Sequence, residues 1–243
     1  MPDAYLRSVV LRRDKVSTFE KYPFVVPAVR TLESLELHPQ VTFFVGENGS
    51  GKSTLLEAIA IAAGFNPEGG SQNFRFAARA SESDLHNALR LVRGARRPKS
   101  GFFMRAESFF NVATKVDELG VGRAYGGKSL HEQSHGEAFL ALVKNRFGQH
   151  GLYILDEPEA ALSPQRQLAF LTAMDSLVRK GDSQMLIATH SPILLSYPHA
   201  WIYQLNEQGI SRVSLEQTEH YSLTKDFLDH RDRYLRRLIE DDG

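Results

Sequence analysis

The sequence predicts an α/β fold with a mostly parallel sheet, and three observations carry that expectation. Short apolar runs at 41–45, 152–155 and 185–189 read as buried strands. Stretches of helix-forming residues alternate with them, as crossover helices alternate with parallel strands. The first run, Val41-Thr42-Phe43-Phe44-Val45, leads through the glycine-rich GENGSGKST of Gly46 to Thr54 into Leu55-Leu56-Glu57-Ala58-Ile59-Ala60, a strong helix former.

Taken in order, residues 4–11 read as a first strand with partial alternation. Residues 22–29 are apolar but interrupted by Pro23 and Pro27, which suits an edge or an irregular segment. Leu32 to Leu37 alternates apolar and polar, and His38-Pro39-Gln40 turns the chain into the strand at 41–45. The helix after Thr54 should stop at Gly64, with Asn66-Pro67 beyond it. Asn66 to Asn73 is a loop, and Ser83 to Arg93 reads as a short helix capped by Ser83 or Ser81. Gly101 to Ala113 returns to a strand-like run, and Gly120, Gly122, Gly126 and Gly127 mark a loop. A helix follows Ser134-His135-Gly136-Glu137 and ends near Arg146. Leu152 to Leu155 is a short strand stopping on Asp156-Glu157-Pro158.

Ser163 followed by Pro164 starts a helix well, a capping hydroxyl before a proline at the first helical position, and Gly181 stops it. Met185 to Thr189 is a buried strand ending at His190-Ser191-Pro192. Trp201 to Leu205 and Ile210 to Leu215 flank Asn206-Glu207-Gln208-Gly209 and read as a hairpin. Residues 223–240 form a charged amphipathic helix or a pair of helices.

Composition narrows the class. A chain of 243 residues, 42% hydrophobic and 24% charged, is ordinary for a globular protein and can bury a sizeable core. Its 29 Lys and Arg balance 29 Asp and Glu, so whole-chain charge points to neither nucleic acid nor membrane. Locally, residues 66–105 hold eight basic side chains (Arg75, Arg79, Arg90, Arg93, Arg96, Arg97, Lys99, Arg105) against three acidic ones (Glu68, Glu82, Asp84). That cluster is either a solvated face or an electrostatic footprint for nucleic acid or an acidic partner. Zero cysteines exclude disulfides, thiol catalysis and cysteine-ligated zinc. No run approaches a membrane span, and Met1-Pro2-Asp3-Ala4-Tyr5 lacks a signal-peptide pattern, so a cytoplasmic protein is expected.

The chemistry begins at Gly46. GxxxxGKS between a strand and a helix is a P-loop, whose glycines let backbone N–H groups approach phosphate oxygens. Lys52 would reach the β- and γ-phosphates, and the Ser53 hydroxyl would hold Mg²⁺. Asp156 closes a fully apolar strand, a Walker B arrangement in which a carboxylate holds the same cation. Glu157 directly after it is placed to take a proton from an attacking water. His190, after its own apolar strand, stands where a γ-phosphate sensor would sit.

Together GENGSGKST, EQSHGE, LDEPEAALSP and ATHSPIL resemble, in order and spacing, the ATP-binding-cassette ATPases. They look most like the soluble, non-transporter AAA-type or SMC-like members. The resemblance implies a single ABC-type domain over 1–243: a P-loop core, an antiparallel β portion near the N-terminus, and a helical subdomain inserted over 66–147. It implies ATP bound by Gly46, Glu47, Asn48, Gly49, Ser50, Gly51, Lys52, Ser53 and Thr54, with Mg²⁺ at Ser53 and Asp156. It implies an ATP-dependent homodimer, in which Ser134 and Gly136 of a signature loop contact the γ-phosphate held by the other protomer. His135 replaces the loop's usual second glycine. Glu107 lies near the family's metal-proximal glutamine, Ser163 stands where aspartate is frequent, and Tyr22 or Phe24 is spaced for adenine stacking or for the core. Three activities fit: a soluble ATPase acting on nucleic acid or protein, the ATP-binding subunit of a transporter, and a dimerisation scaffold with negligible turnover.

Overall fold

A computed structural model of the chain describes residues 4–71, 83–105 and 135–240. Two sheets organise them. In the smaller, β1 (Leu6–Leu11) runs antiparallel between β2 (Ser34–Glu36) and β5 (Leu89–Arg93). The larger has seven strands. At its centre β3 (Val41–Val45), β8 (Gln184–Ala188), β7 (Gly151–Asp156) and β6 (Ser100–Met104) lie side by side and parallel. Beyond β3 come β9 (Trp201–Asn206), parallel to it, and β10 (Gly209–Val213), the antiparallel arm of the expected hairpin. The other edge is β4 (Gly70–Ser71), antiparallel to β6. This is the α/β fold expected, with the mostly parallel sheet and the antiparallel portion near the N-terminus.

The period-2 alternation of side chains divides the core into two layers. Val41, Phe43, Val45, Tyr153, Leu155, Met185 and Ile187 face one side, where they meet Phe139, Leu142, Phe170 and Met174. Those four come from α4 (His135–Arg146) and α5 (Pro164–Asp175). Phe44, Leu152, Ile154, Leu186 and Ala188 face the opposite side, onto Leu55, Leu56 and Ile59 of α2 (Lys52–Ala63), with Leu6, Val9 and Leu35 of the small sheet in the same cluster. Helix α2 ends at Gly64, whose φ of 99° is the left-handed cap the sequence predicts.

One buried polar side chain joins the two sheets. Gln184, at the start of β8 and 0% exposed, accepts from Leu6 N at 2.8 Å and donates to Leu6 O at 2.8 Å and His38 O at 2.9 Å. All its bonds go to backbone groups that would otherwise be buried unpaired.

Several expectations change. Residues 22–26 are irregular as expected, but the chain then forms a short helix, α1 (Pro27–Arg30). The helix expected over 83–93 shrinks to α3 (Leu85–Ala88), because 89–93 pairs with β1 as a strand. Leu89-Arg90-Leu91 alternates, and a long-range partner outweighs four residues of helix propensity. Within 66–147, the strands β4, β5 and β6 belong to the core sheets rather than to a helical insert. The remainder of that range, apart from α3 and α4, lies outside the described residues or in connections. After α6 (Pro192–Leu195), the C-terminal helices are α7 (Glu219–Asp229) and α8 (Arg231–Leu235), so the helical tail starts four residues before the expected 223. Among the described residues, no helix is long and apolar enough to cross a membrane.

Candidate functional site

The parallel order of β3, β8 and β7 brings their C-terminal ends together, and each continues into a loop with polar groups. From β3 comes Gly46 to Gly51. A Cβ at Gly46 would lie 2.3 Å from Leu205 O on β9, and Gly51 has φ 96° with Val26 2.7 Å from where its Cβ would be. No larger residue fits either position without moving backbone or core. Lys52 opens α2 and is buried. Its Nζ donates to Gly46 O at 2.8 Å and Glu47 O at 2.9 Å, curling the loop around the ammonium. Burial pushes this ammonium below its ordinary pKa, and Glu157, Asp156 and Glu159 partly offset the shift.

One residue on, Ser53 Oγ donates to Asp156 Oδ1 at 3.0 Å, across 103 residues of sequence. Asp156 ends β7 with 7% exposure, and burial raises its carboxyl to about pH 6 despite the serine hydrogen bond. Glu157 then leaves the strand in a left-handed conformation, φ 48° and ψ 54°, held by its N–H bonded to Ala188 O at 2.9 Å. That conformation is strained for a non-glycine residue and turns Glu157 away from the strand direction. His190 follows β8, and its Nε2 lies 3.3 Å from Glu157 Oε1.

Two residues of the site were not assigned roles from the sequence. Glu159 accepts from His190 N at 2.5 Å, tying the loop after β8 to the loop after β7, and burial raises its pKa. His220, on α7, lies with its Nε2 2.7 Å from His190 Nδ1. Glu159 could be suspected from its place in LDEPE. Nothing local marks His220, because only the return of the C-terminal segment brings it to the site.

A cleft of about 360 Å³ opens between the loop and Glu157, lined also by Tyr22, Lys52, Ser53 and Thr54. A second, about 530 Å³, lies against the loop's other flank and is lined by Glu47, Asn48, Ser50, Glu219 and His220. Tyr22 is 65% exposed with its hydroxyl 3.1 Å from Thr54 Oγ1, so it stands over the first cleft. Phe24 is in the core. Gly136 lies at the start of α4 against α5. A Cβ there would fall 2.6 Å from Arg166 Cδ and 2.9 Å from Ala161 O, so glycine permits the helix to approach that closely. Ser163 caps α5, its Oγ accepting from Arg166 N at 3.4 Å. Ser134 and Glu107 lie outside the described residues, as do Arg75 and Arg79. Of the remaining basic cluster, Arg93 donates to Ala62 O, Arg96 pairs with Asp182 at 2.6 Å and Arg105 with Glu57 at 3.1 Å. Arg90, Arg97 and Lys99 are exposed.

The donor set fits a triphosphate with a hard divalent cation. Ser53 and Asp156 offer a hydroxyl and a carboxylate oxygen in contact, and burial raises the cost of the Asp156 charge until a cation is beside it. Ser50 Oγ is buried without a partner inside the loop, a donor free for an anion. Among the described residues no three His, Asp or Glu side chains form a metal cage, and Glu107, the further residue expected at the metal, lies outside them.

Fold and site together have the form of a P-loop α/β domain, with the glycine-rich loop between a parallel strand and a helix. Residues 21–116 match an AAA domain model, and residues 137–196 match an AAA domain model whose description adds an AbiEii toxin of a type IV toxin–antitoxin system. The ABC transporter ATP-binding protein ModF of Escherichia coli K12 is 28% identical over 172 residues, which cover 60% of this chain and 34% of that protein. The chain thus spans about a third of that relative's length. A solved chain described as a metal-chelate-type ABC transporter in an inward-facing conformation superposes with TM-score 0.50 at 16% identity, covering 92% of this chain and 88% of that one. The SMC head domain of Thermotoga maritima gives TM-score 0.45 at 17% identity, over 86% of this chain and 98% of that one. At 16% identity the likeness to the transporter chain speaks to the fold alone.

Proposed function

We propose that this chain is a Mg²⁺-dependent ATPase whose two copies close around ATP and act on a nucleic-acid or protein partner. The observation that carries the reading is the convergence of Lys52, the Ser53–Asp156 contact and the Glu157–His190 pair at the ends of three adjacent parallel strands. The backbone N–H groups of Gly46 to Thr54 and the start of α2 would bind the phosphates. Lys52 would exchange its two loop carbonyls for phosphate oxygens, and a cation held by Ser53 and Asp156 would neutralise charge on the transferring group. Glu157 would orient the attacking water and take its proton, and His190 Nε2 would contact the γ-phosphate. Ser134 and Gly136 would reach the phosphate held by the opposite copy.

The transporter reading is favoured by one observation, the match to part of an ABC transporter ATP-binding protein. A nucleic-acid partner would use Arg90, Arg97 and Lys99, which are exposed, beside the exposed Arg96 that pairs with Asp182.

The deciding experiment is phosphate release from ATP with and without Mg²⁺ on wild type and Lys52→Ala. Turnover should require the metal and fall by about 100-fold or more in the variant. Equal turnover in both proteins would remove Lys52 from the chemistry. Including DNA in the same assay at rising salt separates the partner readings, since binding through phosphates weakens steeply as salt increases. Affinity unaltered by Arg90→Glu, Arg97→Glu and Lys99→Glu combined would exclude that strip as the contact.

A further inference from the structure

The contact between His190 and His220 has chemical content beyond packing. Two imidazole nitrogens 2.7 Å apart share one proton, so one ring donates and the other accepts. The other nitrogen of His190, Nε2, faces the carboxylate of Glu157 at 3.3 Å. The contact falls outside hydrogen-bond geometry and leaves Nε2 buried without a hydrogen-bond partner. At that distance a bare lone pair on Nε2 would still be repelled by the carboxylate, whereas an N–H is attracted. If His190 carries its proton on Nε2, its Nδ1 is the acceptor and His220 Nε2–H is the donor. The opposite arrangement places the bare nitrogen of His190 against Glu157. A γ-phosphate approaching the same edge makes the same demand, since it too is an anion. Burial and the Lys52 charge lower the pKa of both histidines, which favours rings with one proton each.

His220 is well placed to hold that bond. It is the second residue of α7, and the chain before it is pinned. Ser214 and Gln217 form a reciprocal capping box, Thr218 is fully buried, and Thr218 Oγ1 donates to Leu215 O at 2.6 Å. The backbone of His190 is fixed from the other side by Glu159. Ring and main chain of His190 are thus held by two elements, neither of which is the strand that carries it.

We propose that His220 is a positioning residue that fixes His190 in the Nε2–H tautomer, so that the imidazole presents a hydrogen-bond donor to the phosphate site. The proposal rests on the ATPase reading for its consequence but not for its geometry. An isosteric pair of substitutions tests it. Glutamine at 220 keeps a donor, while glutamate of the same shape, when ionised, only accepts and would draw the His190 proton to Nδ1.

The direct measurement is the ¹⁵N spectrum of ring-labelled histidine at pH 8, with His190 assigned by its loss in His190→Gln. The expected result is Nε2–H in wild type and His220→Gln, and Nδ1–H in His220→Glu. With MgATP, kcat should fall about 10- to 100-fold in His220→Glu with KM changed far less, and His220→Gln should recover most of the loss. Wild-type His190 protonated on Nδ1 would overturn the proposal, as would a His190 tautomer identical in the glutamine and glutamate variants. Because the spectrum needs no turnover, an inactive wild type would refute the ATPase reading while the tautomer still decides this one.

Discussion

Asp156 shows what the site costs the fold. Its carboxyl sits at a strand end with little exposure, and burial raises its pKa from 3.8 to about 6. A carboxyl whose folded pKa lies above its unfolded value binds more protons in the fold. Stability from this group therefore falls as pH rises between those two values, and the full penalty is felt above pH 6. That rise corresponds to about 3 kcal/mol. In the absence of Mg²⁺ and nucleotide, Asp156→Asn should therefore stabilise the protein at pH 8, by on the order of 1–3 kcal/mol. That gain should appear as a rise of several degrees in Tm, shrinking toward pH 5 as the wild-type carboxyl takes up its proton. Turnover should be lost at the same time. Thermal melts of both proteins at pH 8 and pH 5 check the sign, and a variant less stable than wild type at pH 8 would show that the serine contact, not burial, dominates.

At the scale of elements, Gln184 determines how the two sheets meet. Replacing it with leucine keeps the volume roughly constant but leaves Leu6 N, Leu6 O and His38 O buried without partners. At about 1–3 kcal/mol for each unsatisfied group, partly relieved by relaxation, Gln184→Leu should cost about 3 kcal/mol in a denaturant titration. A loss below 0.5 kcal/mol would mean water reaches those groups. Neither Gln184 nor His220 could be found in the sequence. The P-loop could be, because strand, turn and helix occupy consecutive residues from Val41 to Ala63 and each carries its own local signal. The Ser53–Asp156 contact was legible only through the pairing of two motifs. Gln184 meets Leu6 across 178 residues, and a glutamine before an apolar run carries no mark of the backbone it will bond. β5 reads locally as helix for a related reason: its alternation covers only a few residues, and the strand that decides it, β1, lies about eighty residues earlier. Strand ends carrying chemistry were visible as residue types, while the supports holding them come from distant elements.

At the scale of the whole molecule, the question is whether the site is complete in one copy. Helix α4 begins beside Ala161 and Arg166, and α5 follows the loop that carries Glu157 and Glu159. The start of α4, where Gly136 lies, is thus adjacent to the loop after β7 within one chain. Glu157→Gln is the substitution that answers the question. It keeps the shape of the side chain, removes the charge that would repel a γ-phosphate, and removes the group proposed to accept the proton. ATP should bind, hydrolysis should fall by about 100-fold or more, and the closed pair should accumulate because ligand held only by that form stabilises it by mass action. Light scattering of Glu157→Gln with and without ATP should show a mass near twice 27.3 kDa only with the nucleotide. Adding Ser134→Ala to this variant should return it to the monomer without weakening ATP binding to the single copy, if in the proposed closed pair the hydroxyl acts on the opposite chain. A Glu157→Gln protein that binds ATP yet keeps the monomer mass at high concentration would confine the chemistry to one copy. Gly136 would then serve only the packing of α4 on α5.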